Sequence, residues 1–223
     1  MNQSDKNPIY LAGGGDEHQT FLFDEVYLKN LPQGGKLLYI PVALRGHKLY
    51  KSAPTWLRNL IDLHHRQDVE METWTDLNNR KVSELENFDT IFIGGGNTWS
   101  LLKEIRESGF DKLLLEFITN SGSIYGGSAG AIILSKKITS PDKNEVNWKD
   151  DSGLDLLGGY SVACHYNSND GEEYAKWAPI ICLPEETGAI VDSNIIKIIG
   201  DKPGLQIASE TRKILENGNF IDL

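Results

Sequence analysis

Short apolar runs alternate with helix-like patterns along the first part of the chain. Compact apolar runs predict strands, and apolar residues spaced three or four positions apart predict helices. The predicted strands are residues 8–12, 36–42, 68–74, 90–93 and 123–127. The helical patterns cover residues 23–27, 53–61, 101–105, 110–118 and 129–135. This alternation predicts an α/β fold of three layers, a mostly parallel sheet with helices on both faces.

The last third of the chain has a different pattern. Residues 160–165, 180–183, 188–191 and 195–199 are short strand-like runs with few helical patterns between them. We interpret this region as a β-rich C-terminal edge of the sheet. The chain has no repeat, low-complexity tract or linker, so we expect a single domain over residues 1–223. The longest loop candidate is the polar stretch 139–153, and loops of that length are often functional.

Composition and charge exclude several classes of protein. Hydrophobic residues make up 39% of the chain and charged residues 24%, which is ordinary for a globular domain. The formal net charge of −10 argues against nucleic acid or an anionic membrane as a partner. No apolar run approaches the roughly 20 residues of a membrane helix, and the N-terminal residues do not form a signal-peptide pattern. With only two cysteines, a disulfide scaffold is excluded, and we expect a cytoplasmic protein.

A motif for nucleophilic catalysis lies between a predicted buried strand and a predicted helix. Residues 126–130 read Gly-Gly-Ser-Ala-Gly, which matches Gly-x-Ser-x-Gly. A sharp strand-to-helix turn would expose Ser128 in a strained conformation and point the backbone N–H of Ala129 at the reacting group. The helix N-terminus would add positive partial charge for an oxyanion. The alternative is a close-packed helix start that uses the glycines only for packing.

A serine nucleophile needs a base and an acid that orients the base. Of five histidines, only His165 follows Ser128, and it comes at the end of a predicted strand, where open α/β sheets keep their sites. The acid stays open between two chain orders. The candidates before His165 are Asp142, Glu145, Asp150, Asp151 and Asp155, with Asp142 preferred; those after it are Glu185 and Glu186, with Glu185 preferred.

Two glycine triplets, 13–15 and 94–96, do not complete a dinucleotide fingerprint. His18 and Trp99 occupy the positions of the third glycine, and Asp16 and Glu17 would repel a pyrophosphate. The triplet 94–96 follows a strand that we place beside the Ser128 strand, so its N–H groups could supply a second oxyanion donor. The chain has no His-Glu-x-x-His or Cys-x-x-Cys motif, and we expect neither a metal nor a cofactor.

Four stretches resemble the peptidase E family of serine peptidases, the aspartyl dipeptidases. They are Phe-Ile-Gly-Gly-Gly-Asn-Thr at 92–98, Ile-Tyr-Gly-Gly-Ser-Ala-Gly-Ala at 124–131, His-Tyr-Asn at 165–167 and Leu-Pro-Glu at 183–185. The resemblance implies a fold like the class I glutamine amidotransferases, a flavodoxin-like arrangement with serine in place of their cysteine. It implies Ser128 as nucleophile, His165 as base and the N–H groups of Gly96 and Ala129 as oxyanion donors.

The same resemblance leaves the acid and the substrate open. Glu185 matches one family assignment of the acid, and Asp142 lies within a residue of another. The arginine that the family uses for its substrate is missing from residues 168–178, which contain only Lys176 as a cation. We therefore take Asn97 and Lys176 as candidate substrate-binding residues and leave open a preference for N-terminal aspartate.

The sequence thus predicts a serine peptidase that hydrolyses dipeptides or small peptide amides. Two other functions stay open: an amidotransferase-like binding module that has lost turnover, and an isopeptide hydrolase similar to the cyanophycinases. We expect a small peptide as the partner molecule and neither nucleic acid nor membrane. Edge strands in the C-terminal region could pair with a second copy, so a homodimer is one expected assembly.

Overall fold

The computed structural model describes residues 7–120, 122–140, 142–168 and 171–223. Its strands fall into two sheets. They are β1 (Ile9–Ala12), β2 (Lys36–Ile40), β3 (Glu70–Thr73), β4 (Thr90–Ile93), β5 (Ser123–Gly127), β6 (Ser161–Ala163), β7 (Ile180–Cys182), β8 (Thr187–Asp192), β9 (Ile195–Gly200), β10 (Gly204–Ala208), β11 (Thr211–Leu215) and β12 (Phe220–Asp222).

The α-helices lie mostly between the first five strands. They are α1 (Phe21–Lys29), α2 (Ala53–Leu63), α3 (Val82–Leu85), α4 (Thr98–Ser108), α5 (Phe110–Thr119) and α6 (Ala129–Leu134). Short 3-10 helices add Val42–Leu44, Tyr50–Ser52 and Glu173–Trp177. Among the described residues, none of these helices is long and apolar enough to cross a membrane.

The larger sheet has the strand order β12-β9-β8-β1-β5-β4-β2-β3. The five neighbouring strands β1, β5, β4, β2 and β3 pair in parallel. Strands β8, β9 and β12 continue the sheet beyond β1 and pair antiparallel. In register, Ile93 lies beside Gly126, and Ala12 lies beside Gly127. The carboxyl ends of β1, β4 and β5 therefore meet at one edge of the sheet, where the candidate residues lie.

Both faces of this sheet are covered, because neighbouring residues of each strand point to opposite sides. Tyr10, Tyr39 and Phe92 pack with α1 and α2 on one face, where an aromatic cluster fills the core. Leu11 and Ile40 pack with α4, α5 and α6 on the other face. The predicted three-layer α/β fold with a mostly parallel sheet is confirmed.

The C-terminal region forms more than a sheet edge. Strands β8, β9 and β12 extend the larger sheet, but β6, β7, β10 and β11 build a separate sheet of order β11-β10-β7-β6. The sequence predicts His165 at a strand end of the main sheet, but His165 follows β6 of the smaller sheet. The two sheets meet at Gly13, whose N–H donates to Thr187 O (2.9 Å) and whose carbonyl accepts from His165 N–H (2.7 Å).

Candidate active site

Ser128 lies in a sharp turn between β5 and α6. Its backbone has φ 48° and ψ −106°, a conformation that side-chain-bearing residues rarely adopt. Its N–H donates to Ala12 O at 3.1 Å, which ties the turn to β1. Small residues are required around it, because a Cβ on Gly130 would lie 2.3 Å from Ile93 O. The turn therefore has the conformation of a nucleophile elbow, with the serine half-buried at its tip.

The His165 imidazole lies against the Ser128 hydroxyl. Its Nε2 is 2.8 Å from Ser128 Oγ, a hydrogen-bond distance. The ring packs on Gly14, where an added Cβ would lie 2.2 Å from His165 Cε1. Gly14 also has φ +120°, so glycine is required there both for space and for conformation. The first glycine triplet thus makes room for the imidazole.

Glu185 lies on the other side of the same ring. Its Oε1 is 3.0 Å from His165 Nδ1, and its Oε2 accepts a hydrogen bond from Gln19 Nε2 at 3.2 Å. The hydrogen bond with His165 lowers the pKa of the Glu185 carboxyl, partial burial opposes this, and Gln19 adds to the lowering. The carboxylate therefore stays ionised to lower pH than an ordinary glutamate, and it can hold a proton on Nδ1.

Asp142, the other preferred acid, makes different contacts. Its Oδ2 accepts hydrogen bonds from Thr98 N–H and Thr98 Oγ1, both at 3.0 Å, at the first residue of α4. Its backbone carbonyl accepts from Trp99 Nε1 at 3.1 Å. The polar loop that contains Asp142 thus caps α4 directly after the second glycine triplet. The structure brings Glu185, and not Asp142, to His165.

Two backbone amides beside Ser128 are available to an oxyanion. Across the described residues, the N–H groups of Gly96 and Ala129 donate no hydrogen bond to a protein acceptor. Gly95 comes close to the serine, because an added Cβ there would lie 3.3 Å from Ser128 Cβ and 3.9 Å from its Oγ. A side chain at position 95 would therefore occupy the space in which a substrate carbonyl would have to sit.

Asn97 and Lys176 lie away from this cleft. The Asn97 side chain caps α4, accepting from Ser100 N–H at 2.9 Å. Lys176 lies in the 3-10 helix Glu173–Trp177, with its Nζ 4.0 Å from the centre of the Trp177 ring. Neither residue lines the cavity that contains Ser128 and His165.

That cavity has a volume of about 440 Å³. One part of its surface is formed by Ser128, His165 and two glycines of each triplet. Most of the rest is formed by apolar and aromatic residues of β2, β4, β5, α2 and the segment 44–49. A second cavity of about 510 Å³ lies on the Glu185 side of His165 and includes Lys202. Clefts of these volumes suit small-molecule or short-peptide ligands.

The sequence pattern does not indicate Gln19 or the aromatic residues of the cavity. Gln19 comes from a polar loop and meets Glu185 over a separation of 166 residues, so no local pattern indicates the contact. Tyr39 and Phe92 are 1% and 2% exposed, and in sequence they are indistinguishable from core residues. The first glycine triplet is evident in the sequence, but the sequence does not show that Gly14 packs against the His165 ring.

The cysteine beside Ser128 is free and buried. Cys164 Sγ lies 3.5 Å from Ser128 O, but burial raises the pKa of its thiol, which keeps it protonated and unreactive. Within the described ranges, no three histidine, cysteine or acidic side chains gather in a way that could hold a metal ion.

Comparison with known proteins assigns the family. The model of peptidase family S51 matches residues 9–204 of this chain. A protein named an uncharacterized peptidase from Listeria monocytogenes is 36% identical over 153 residues, which are 65% of this chain and 72% of that protein. Peptidase E of Haemophilus influenzae is 23% identical over 70% of this chain and 68% of its own length. A probable alpha-aspartyl dipeptidase of Drosophila melanogaster is 24% identical over 74% of this chain and 73% of its own length.

Solved structures share the fold. A peptidase from an acI-B1 Actinobacterium superposes with a TM-score of 0.76 over 99% of this chain and 98% of that one, at 18% identity. A putative peptidase E from Listeria monocytogenes superposes with a TM-score of 0.68 over 88% of this chain and 99% of that one, at 23% identity. The chain belongs to peptidase family S51, the peptidase E family, and is a serine-type peptidase.

Proposed function

We propose that this peptidase hydrolyses dipeptides or small peptide amides through Ser128, His165 and Glu185. The observation that carries the proposal is the continuous line of contacts from Ser128 Oγ to His165 Nε2 (2.8 Å) and from His165 Nδ1 to Glu185 (3.0 Å). Nucleophile, base and orienting acid are within hydrogen-bond reach of one another, as acyl transfer requires.

In the proposed reaction, Ser128 Oγ attacks the scissile carbonyl carbon while His165 Nε2 takes the hydroxyl proton. The N–H groups of Gly96 and Ala129 donate to the oxyanion of the tetrahedral intermediate. His165 then returns the proton to the leaving amine, which departs and leaves an ester on Ser128. A water molecule repeats the sequence in the second half. Glu185 holds the Nδ1 proton and stabilises the imidazolium formed in each half.

A small substrate is supported by the dimensions of the cleft and by the relatives. The cavity beside Ser128 has a volume of about 440 Å³, which suits one or two residues of a substrate. Relatives that match most of this chain are named peptidase E and alpha-aspartyl dipeptidase. We therefore place dipeptides first among the substrates.

The nucleophile is tested with Ser128→Ala. We expect this variant to lose hydrolysis of a dipeptide library and labelling by a fluorophosphonate probe, while its unfolding transition stays close to that of the parent. Ser83→Ala, at an exposed serine on α3, is the matched control and should be labelled and active. Retained turnover in Ser128→Ala, or a parent protein with neither labelling nor turnover, would contradict the proposal.

The acid is tested by comparing Glu185→Gln with Asp142→Asn. Removing the orienting charge should lower kcat by about 10²–10⁴ in Glu185→Gln. Asp142→Asn should instead cost about 1 kcal/mol of stability by weakening the cap of α4, with kcat nearly unchanged. The reverse pattern of kcat losses would assign the acid to Asp142.

A further inference from the structure

The cavity beside Ser128 has an aromatic wall, which we define as Tyr39, Trp56, Phe92 and Tyr125. The Phe92 and Tyr125 rings stack with centres 4.2 Å apart and an interplanar angle of 11°. Tyr39 and Trp56 each meet Phe92 edge-on, at 5.6 and 6.3 Å. Because each ring is held by a neighbour, the wall is preformed. Tyr39, Phe92 and Tyr125 are only 1–2% exposed and back the cavity, so its accessible apolar surface comes mainly from Trp56, Leu44 and Leu49.

The polar atoms of this wall are mostly bound to groups behind or beside it. Trp56 Nε1 donates to Glu17 at 2.7 Å, and Tyr125 OH donates to Asp24 at 2.6 Å. Thr20 Oγ1, at the margin of the cavity, also donates to Asp24 at 2.5 Å. The Tyr39 hydroxyl makes no hydrogen bond to any described residue, so it can bind water or one polar substrate group. The surface open to a ligand beside the wall is therefore mainly the apolar surface of Trp56, Leu44 and Leu49.

No fixed positive charge faces the cavity. Among the described residues that line it there is no lysine, arginine, aspartate or glutamate. Among the neighbouring cations, Arg45 pairs with Glu104 at 2.5 Å and Lys202 with Glu186 at 2.9 Å. The exposed Lys48 and Lys51 flank Leu49 but do not line the cavity. A carboxylate side chain placed against the aromatic wall would lose its hydration without a counter-ion, which is unfavourable.

The aromatic wall lies on the side of Ser128 where the acyl part of a substrate would bind. The Gly94–Gly96 turn, which contains a proposed oxyanion donor, lies on Tyr39: a Cβ added at Gly94 would be 3.2 Å from the Tyr39 ring. The leaving amine must instead approach His165 Nε2, which protonates it. Beyond His165 lies the separate cavity that includes Lys202. The residue that stays bound to Ser128 is thus the one beside the aromatic wall.

We infer that the enzyme selects a bulky apolar or aromatic side chain on the residue whose carbonyl is attacked, the N-terminal residue of a dipeptide. This inference rests on the proposed function and names its substrate class. Burial of such a side chain against the wall is favourable, whereas an aspartate there lacks a partner. Discrimination by a hydrophobic pocket is typically about 10- to 200-fold in kcat/KM.

The direct test measures kcat/KM for Phe-Ala, Leu-Ala, Asp-Ala and Ala-Phe. We expect Phe-Ala and Leu-Ala to exceed Asp-Ala by at least about tenfold. Ala-Phe should be a poorer substrate than Phe-Ala, because its large side chain is on the leaving residue. A preference for Asp-Ala, or selectivity that follows only the second residue, would overturn the inference.

A charge introduced at the rim provides a sharper test. Leu49 lines the cavity and is 52% exposed, so Leu49→Arg should fold. It should raise the ratio of kcat/KM for Asp-Ala over Phe-Ala by about tenfold or more, by supplying the missing counter-ion. Ile214→Arg is the matched control: Ile214 is 66% exposed on β11 and does not line the cavity, so its variant should keep the parent ratio. An unchanged ratio in Leu49→Arg contradicts the inference.

Binding to the Ser128→Ala variant separates this inference from the proposed function. Calorimetry should show tighter binding of Phe-Ala than of Asp-Ala by at least about tenfold, whether or not the parent turns over. A parent that resists fluorophosphonate labelling but whose variant prefers Phe-Ala would refute the proposed chemistry and support the pocket. Labelling and turnover combined with tighter Asp-Ala binding would refute the pocket and support the chemistry.

Discussion

Gln19 holds the carboxylate oxygen of Glu185 that His165 does not contact, and we expect it to position that carboxylate. Gln19→Ala should lower kcat about two- to tenfold with little change in KM. Because the Gln19 hydrogen bond lowers the pKa of Glu185, its loss should raise that pKa, which NMR titration of the Glu185 carboxyl measures directly. Gln67→Ala, at an exposed glutamine beside Asp62, is the control. A rate loss without a rise in the pKa of Glu185 would indicate a merely structural role.

Asp24 is fully buried beneath the same cleft, where its carboxylate accepts from Thr20 and Tyr125. Burial raises its pKa to about 7, so the folded protein holds a proton that the unfolded chain releases near pH 4. The stabilisation linked to that proton is complete below pH 4 and is lost as pH rises through 7. We expect the free energy of unfolding to fall by a few kcal/mol over that range, roughly 1.4 kcal/mol per pKa unit.

Urea unfolding at a series of pH values tests this linkage. Asp24→Asn should flatten the fall, whereas Glu116→Gln, at an exposed position of α5, should keep the parent slope. The same slope in Asp24→Asn and the parent would assign the pH dependence to other groups.

Some residues of the candidate site can be predicted from the sequence, and others cannot. Ser128 and Ala129 are predictable because the elbow needs small residues between a buried strand and a helix, and that requirement is local. Glu185 and Asp142 are both carboxylates at acceptable spacing, and only the fold separates the one beside His165 from the one that caps α4. Gln19 leaves no local signal, since its role depends on a loop that meets Glu185 in space alone.

At the scale of elements, Gly13 joins the end of β1 to the smaller sheet. A Cβ there would lie 2.3 Å from Pro184 O and 2.8 Å from Thr187 O, so Gly13→Ala must displace the connection between β7 and β8. That connection contains Glu185, and the Gly13 carbonyl accepts from His165 N–H. We expect a loss of about 1–3 kcal/mol in stability and about 10² in kcat/KM.

Gly34→Ala is a control of comparable stability cost. Gly34 has φ +67° with open space around it, so alanine there costs about 1–2 kcal/mol through backbone strain alone. Because Gly34 is remote from the cleft, kcat/KM should not change. Equal activity losses in the two variants would trace the effect to global stability.

The parallel strands were predictable to within a few residues, whereas β6 and β7 of the smaller sheet could not be assigned to a sheet, because they are short. Strands β4 and β5 are buried apolar runs bounded by turn residues, and the sequence places both with the observed ends. Strands β6 and β7 have three residues each, and β7 pairs with both β6 and β10. Three residues contain too little pattern to indicate which sheet they join.

For the whole molecule, the net charge of −10 acts on every charged substrate before contact. The potential of a folded protein extends over the Debye length, which shrinks from about 30 Å at 0.01 M salt to about 10 Å at 0.1 M. Local charges near the cleft are mixed: Asp16 and Glu17 are in the loop that leads to Gln19, and Lys48 and Lys51 flank the cavity-lining Leu49. The kcat/KM values of negatively and positively charged dipeptides should therefore change in opposite directions as the salt concentration rises.

Three substrates with the same N-terminal residue test this field: Phe-Ala, which is neutral overall, Phe-Asp, which is negative, and Phe-Lys, which is positive. Between about 0.01 and 0.3 M salt, kcat/KM for Phe-Asp should rise about two- to threefold as repulsion is screened, and that for Phe-Lys should fall by a similar factor. Phe-Ala is the control and should stay constant, because a uniform field exerts no net attraction on it. The same change in kcat/KM for all three substrates would point to an effect of salt on the enzyme itself. No change in kcat/KM for any of them would show that local groups, rather than the total charge, govern substrate encounter.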